Sequence, residues 1–342
     1  MTVVTNRLTR VAGRLDDPLL EVENLSVVFV GLDASLPAVT GVAFGLYPGE
    51  TLGVVGESGS GKSVSMMSML GLTPGEVTSG QVMFDGKDLL KMSAQERRKI
   101  RGGPIAMVFQ DPMSSLNPVQ RVGHQLAETL KLHSPQLDKK ARKERVVELL
   151  RIVGVADPEQ RVKQYPHQFS GGMRQRVMIA MAIANSPRVL IADEPTTALD
   201  VTIQAQVLDV LRKAKDETDA AVILITHDLG VIAEMADRVM VMYAGRVVEA
   251  GSVTELFDSP RHPYTKGLLG SALRVSERVE RLNSIPGNPP NIARLPSGCP
   301  FHPRCAVSKG RERCATETPE LLDIGGRWTA CHFHDELRGA QA

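Results

Sequence analysis

Residues 56–63 read Gly56-Glu57-Ser58-Gly59-Ser60-Gly61-Lys62-Ser63, and no other stretch constrains the chain as tightly. The octet follows the apolar run Leu52-Gly53-Val54-Val55 and opens onto the Met- and Leu-rich segment 64–70. A strand, a small-residue loop and a buried helix in that order are the context of a phosphate-binding P-loop. Glycines at 56, 59 and 61 let the backbone curl until successive N–H groups converge on an anion, and the helix start adds its positive dipole end. Ser58 and Ser60 complete the loop. Lys62 then reaches the β- and γ-phosphates of a nucleoside triphosphate, and the Ser63 hydroxyl ligates Mg²⁺.

The rest of the chain has room to serve such a site. Its 342 residues, 42% hydrophobic, suffice for a large core plus an appendage. With 40 basic against 39 acidic residues, net charge gives no reason to expect nucleic acid as a partner. The basic cluster at 139–145 reads as a solvated helix face. Apolar runs such as 177–184 and 221–225 fall far short of the ~18 residues of a membrane span. The segment 1–17 carries Arg7, Arg10 and Arg14 but no apolar core, which argues against a secretory signal and for a cytosolic, reducing location.

Taken in order, 19–30 alternates in part and reads as an edge strand or hairpin. Residues 81–84 read as a strand closed by an Asp85-Gly86 turn, and 93–101 as a helix capped by Ser93 with Glu96 at the capping-box position. After a short strand at 105–109 come helical patterns at about 119–133 and 138–153, read as a helical subdomain (about 111–170) inserted into an α/β core. Strands resume at 188–192, 221–226 and 238–243, separated by helices, which predicts a largely parallel sheet. Beyond about 251 the composition shifts to Pro, Gly, Arg and Cys. The organisation read from this is an N-terminal extension (1–18), a nucleotide-binding domain (19–251) and a C-terminal extension (252–342).

A P-loop needs an acidic strand, because Mg²⁺ takes an outer carboxylate and the attacking water a base. Val189-Leu190-Ile191-Ala192-Asp193-Glu194 supplies both, with Asp193 at the metal shell and Glu194 at the water. Between loop and strand lies Phe169-Ser170-Gly171-Gly172-Met173-Arg174-Gln175-Arg176, which resembles the signature motif of ATP-binding cassette (ABC) proteins, with Met173 where the family usually has Gln. Its core, Ser170, Gly171 and Gly172, is a second small-residue turn at a helix N-terminus. The resemblance implies further roles in chain order. Gln110 corresponds to the Q-loop glutamine that senses Mg²⁺ and the water. Thr197-Ala198-Leu199-Asp200 is similar to the D-loop, with Asp200 carried over. His227 matches the switch histidine at the γ-phosphate, and Phe29 is the candidate aromatic against adenine. It implies a P-loop NTPase fold with an inserted helical subdomain, Glu194, His227 and Gln110 as catalytic residues, and a signature that closes over the nucleotide of another cassette.

All four cysteines, Cys299, Cys305, Cys314 and Cys331, fall within the last 44 residues, a cluster that suits either Zn²⁺ or a [4Fe–4S] group. Their spacing lacks the C-x2-C knuckles of common zinc ribbons. The strings Arg261-His262-Pro263-Tyr264, Ile285-Pro286-Gly287-Asn288-Pro289-Pro290 and Gly298-Cys299-Pro300-Phe301 resemble the C-terminal extension of oligopeptide and dipeptide importer ATPases, as does Phe109 to Pro118. That resemblance implies an iron–sulfur cluster on the four cysteines in preference to zinc, with four unligated thiols as the third reading. It also implies a motor subunit on the cytoplasmic face of the plasma membrane, working with a second ABC subunit, two membrane permeases and an extracytoplasmic substrate-binding protein, without nucleic acid. The competing reading is a soluble ABC ATPase of DNA repair or translation with a zinc-type tail. Asp193 follows Lys62 by only 131 positions, too few for the long coiled-coil insertion of such proteins.

Overall fold

The computed structural model describes residues 17–31, 35–197, 199–272 and 285–337, so the arginines at 7, 10 and 14 lie outside the described residues. The strands are β1 (Leu20–Val30), β2 (Ser35–Leu46), β3 (Thr51–Val55), β4 (Glu76–Phe84), β5 (Lys87–Asp88), β6 (Ile105–Val108), β7 (Val189–Asp193), β8 (Ala221–Ile225), β9 (Arg238–Tyr243), β10 (Arg246–Ser252), β11 (Leu322–Asp323) and β12 (Trp328–Thr329). The helices are α1 (Lys62–Met69), α2 (Ala94–Ile100), α3 (Pro112–Ser115), α4 (Val122–His133), α5 (Lys139–Ile152), α6 (Pro158–Arg161), α7 (Gly171–Ile183), α8 (Val201–Thr218), α9 (Leu229–Met235), α10 (Val253–Asp258), α11 (Pro263–Ala272) and α12 (Glu312–Thr316). Two compact units result: the described residues of Met1–Tyr47, Thr51–Lys91 and Thr226–Ala342 form one, and Pro48–Glu50 with Met92–Ile225 the other.

In the first unit an antiparallel sheet runs β2-β1-β4-β5. The hairpin expected at the N-terminal strand is present, but β1 is no edge strand: Leu20 pairs with Leu46 on one side and Phe84 on the other. Its imperfect alternation has a physical cause. The registers to both neighbours shift around Asn24, which sits at a φ of 48°. The bulge changes the parity of the buried face, from Leu20 and Val22 before it to Leu25 and Val27 after it.

The unit's second set of strands runs β11-β12-β10-β9-β3. Strands β3 and β9 are parallel, with Leu52 opposite Arg238 and Val55 opposite Val241. The strands expected to be parallel are so; β10, not read from the sequence, is antiparallel to β9, because Ala244 and Gly245, at φ 49° and 75°, make a two-residue turn between them. Strands β12 and β11 extend that antiparallel edge.

The second unit carries three parallel strands, β8-β7-β6, with Val189 opposite Ile105 and Ala221. Strands β7 and β8 are buried along their whole length, which is why they read as unbroken apolar runs. Its helices bury one stripe each: Val122, Leu126 and Leu130 on α4, and Val146, Leu149 and Leu150 on α5. The capping box predicted at Ser93 and Glu96 closes both ways, Ser93 N–H donating to Glu96 Oε2 at 2.8 Å and Glu96 N–H to Ser93 Oγ at 3.3 Å. No helix among the described residues is long and apolar enough to cross a membrane.

Candidate nucleotide site and cysteine-bearing tail

The loop after β3 has the backbone that phosphate binding requires. Gly56, Gly59 and Gly61 take φ values of 152°, 79° and 97°, and a Cβ on Gly61 would meet the Ala38 carbonyl oxygen at 2.7 Å. Lys62 opens α1 and is buried; its Nζ donates to the carbonyls of Gly56 at 2.7 Å and Glu57 at 3.0 Å. The buried Ser60 Oγ has no hydrogen-bond partner among the described residues. A buried ammonium and an orphaned hydroxyl within a glycine curl fit a phosphate chain, which accepts from both. Ser58 and Gly59 are exposed and Ser63 is half-buried.

Two other expected residues belong to this unit. His227 is exposed, just after buried Thr226, and the adjoining Asp228 caps α9 by accepting from Gly230 N–H at 2.8 Å. Phe29 is half-buried near the end of β1, and a Cβ added to Gly75 would lie 3.4 Å from its ring Cζ.

In the second unit Asp193 ends β7 and is buried. Glu194 follows at a φ of 45°, a left-handed conformation that costs a non-glycine residue of order 1 kcal/mol or more. Its carboxylate is gripped twice: Oε2 accepts from Gln110 Nε2 at 2.9 Å and from Thr197 Oγ1 at 2.8 Å. The two residues expected to handle the water are thus brought together, 84 positions apart in sequence. Thr197, quoted only as part of the D-loop string, is a direct partner of Glu194.

Ser170 caps α7, its Oγ accepting from Met173 N–H at 3.3 Å. Gly172 is required by packing, since a Cβ there would lie 2.7 Å from Ile203 Cγ2 of α8, whereas the Gly171 position is roomy, with Leu199 Cδ2 at 3.7 Å. Asp200 caps α8 through Ile203 N–H at 3.0 Å.

Within the first unit the tail is joined to β10 by a buried polar knot. Glu249 on β10 is fully buried and accepts from Arg261 N–H at 2.6 Å, His262 N–H at 2.9 Å and Arg327 Nη2 at 2.9 Å. Burial pushes its carboxyl upward against these partners. His262 Nδ1 accepts from Tyr264 N–H at 3.1 Å, and burial pushes the imidazole down to about 3, so it is neutral. The rings of Tyr243, Tyr264 and Phe301 pack together, with centroids 4.6–5.4 Å apart.

The four cysteines are free thiols. Burial, with the neighbouring thiols adding to it, raises Cys299 to about 11 and Cys331 to about 12, and raises Cys314 as well. Cys299 N–H donates to the Cys314 carbonyl at 2.9 Å. Among the described residues no group of three or more His, Cys, Asp or Glu side chains is set to hold a metal ion. The expectation of a metal centre there therefore gains no support from the side-chain geometry.

Two residues that the sequence did not single out as site residues, Tyr264 and Arg304, stand against the phosphate loop. Glu57, an unspecified position of the octet, is held by Tyr264 and Arg304. No sequence signal could pair Glu57 with a residue 247 positions away.

Comparison with known proteins agrees with this architecture. Residues 39–197 match the ABC transporter family model, and residues 248–314 match the model of the oligopeptide/dipeptide transporter C-terminal region. The dimeric post-hydrolysis structure of the ATP-binding cassette MJ0796 bound to ADP and Pi superposes with a TM-score of 0.62 at 27% identity, covering 68% of this chain and 98% of that one. Fold and motifs together define an ABC-type P-loop ATPase cassette. The chain is 54% identical to the dipeptide transport ATP-binding protein DppD of Bacillus subtilis (strain 168), over 84% of its own length and 87% of that protein's. It is 51% identical to the oligopeptide transport ATP-binding protein OppD of Mycobacterium tuberculosis (strain ATCC 25618 / H37Rv) over 94% of its length, spanning about half (52%) of that relative. The chain belongs to the ATP-binding subunits of the oligopeptide/dipeptide ABC transporter family. Both matched models are transporter models, so the reading as a soluble repair or translation ATPase is not favoured.

Proposed function

We propose that this chain is the ATP-hydrolysing motor of an importer for di- and oligopeptides. The observation that carries this reading is the presence, in one polypeptide, of a cassette and the C-terminal region found in oligopeptide and dipeptide transporters. In this reading Gly56, Ser58, Gly59, Ser60, Gly61 and Lys62 bind the triphosphate, and Lys62 exchanges its two carbonyl partners for the β- and γ-phosphates. Ser63, Gln110 and Asp193 serve Mg²⁺, which when bound neutralises charge on the phosphates. Glu194 polarises the attacking water, held in orientation by Gln110 and Thr197. His227 stabilises the γ-phosphate, and Phe29 stacks on adenine.

Ser170, Gly171 and Gly172, with Asp200, complete the site of a second cassette, of the same or a related chain, so that ATP closes the pair and hydrolysis releases it. The motion is passed to two membrane permeases fed by an extracytoplasmic binding protein, with the chain peripheral to the cytoplasmic face of the membrane. The four cysteines are the ligands proposed for a [4Fe–4S] cluster with a structural role. Support comes from Cys299, Cys314 and Cys331, whose thiols are raised by burial and then by neighbouring cysteines, Cys305 among them, so the four side chains lie within electrostatic reach of one another.

The P-loop variant Lys62→Ala is expected to weaken ATP binding by at least ~100-fold, and Glu194→Gln to retain binding while turnover falls by a similar factor or more. Equilibrium nucleotide binding and phosphate release measure the two. Wild-type turnover in Glu194→Gln removes that residue from its role.

A further inference from the structure

We propose that Arg304, with Tyr264, is a positioning residue of the phosphate loop, through which the cysteine-bearing tail sets nucleotide affinity. The inference rests on the reading of 56–63 as the ATP site. Arg304 grips the Glu57 carboxylate with both guanidinium arms, Nη1 to Oε2 at 2.6 Å and Nη2 to Oε1 at 2.9 Å. The pair is well shielded, with side chains 6% and 24% exposed. The Glu57 backbone N–H donates to Tyr264 Oη at 2.8 Å. Both the side chain and the main chain of one loop residue are therefore held from the tail.

What makes this more than attachment is the residue that is held. The Glu57 carbonyl accepts from Lys62 Nζ at 3.0 Å, and Ser60 N–H bonds to the same oxygen at 3.2 Å. Rotation of this peptide moves the ammonium and the N–H groups that converge on phosphate. A bidentate arginine–carboxylate pair fixes direction as well as distance, so it can resist such rotation.

Arg304 is itself immobilised. Its Nε donates to the Pro286 carbonyl at 2.9 Å, its guanidinium lies 5.9 Å from the Tyr243 ring centroid, and its backbone belongs to a 3₁₀ turn, His302–Arg304. Cys299 and Cys305 flank that turn, and His302 N–H donates to the Cys299 carbonyl at 3.0 Å. Attachment of the tail has its own separate contacts, the Glu249–Arg327 knot and the β10–β12 pairing. The Arg304–Glu57 pair is thus free to serve the loop.

A double-mutant cycle in ATP affinity tests the proposal on the full-length chain. Arg304→Ala and Glu57→Gln are each expected to weaken ATP and ADP binding about tenfold, and the double variant to be no worse than the weaker single one, because both break one coupling. Arg304→Lys keeps the charge but loses the fork, and should recover only part of the loss. Unaltered affinity in Glu57→Gln, or effects that simply multiply in the double variant, overturns the proposal. Should Arg304→Ala not fold, Glu57→Gln, which leaves the tail intact, decides alone. Lys62→Ala in the same assay separates the two claims: ATP binding insensitive to Lys62 refutes the site itself, whereas binding lost with Lys62 but indifferent to Glu57 and Arg304 refutes only the coupling.

Discussion

At Glu194 a left-handed backbone is carried by a single non-glycine residue. A glutamate at φ 45° is tolerated because its carboxylate is over-determined, by Gln110 on one side and Thr197 on the other. His262 stores free energy in a different form. It is buried neutral and pushed down to about 3, while the unfolded chain takes up its proton near 6.5. Below the unfolded value the unfolded state binds more protons, so the stability this residue contributes is complete above about pH 6.5 and falls as pH drops towards 3. The loss should reach roughly 2 kcal/mol by pH 5. Urea unfolding of wild type and His262→Gln at pH 7 and pH 5 measures it: the variant should lose less on acidification, and parallel losses would deny His262 the role.

At the scale of elements, strands buried on both faces were plain in the sequence because nothing interrupts their apolar runs, as in β7 and β8. The capping box of α2 was equally legible, being a local pattern of two side chains. Strand β1 was less so, since the bulge at Asn24 breaks the period on which strand reading relies. The octet announced the phosphate loop, yet its anchors Tyr264 and Arg304 were invisible because their partner lies more than 200 positions away. The cysteine tail is the element whose content chemistry can decide. Anaerobically purified protein is expected to be brown with about four irons per chain, as four thiolates on one [4Fe–4S] group require. A colourless preparation holding one zinc per chain would assign the four cysteines to the other metal.

For the whole molecule, the cassette presents one P-loop and one signature motif, each in its own unit of the chain. The signature helix starts with a serine cap and two glycines, a donor-rich end suited to an anion brought by another molecule. No helix among the described residues is long and apolar enough to span a membrane, and in the proposed function transport coupling follows from closure of two cassettes on ATP. The dependence of ATPase rate on protein concentration probes that claim most directly. Specific activity should rise with concentration, or with added partner cassette, as pairs form. Full-speed hydrolysis by a strictly monomeric preparation, with specific activity independent of concentration, would contradict it.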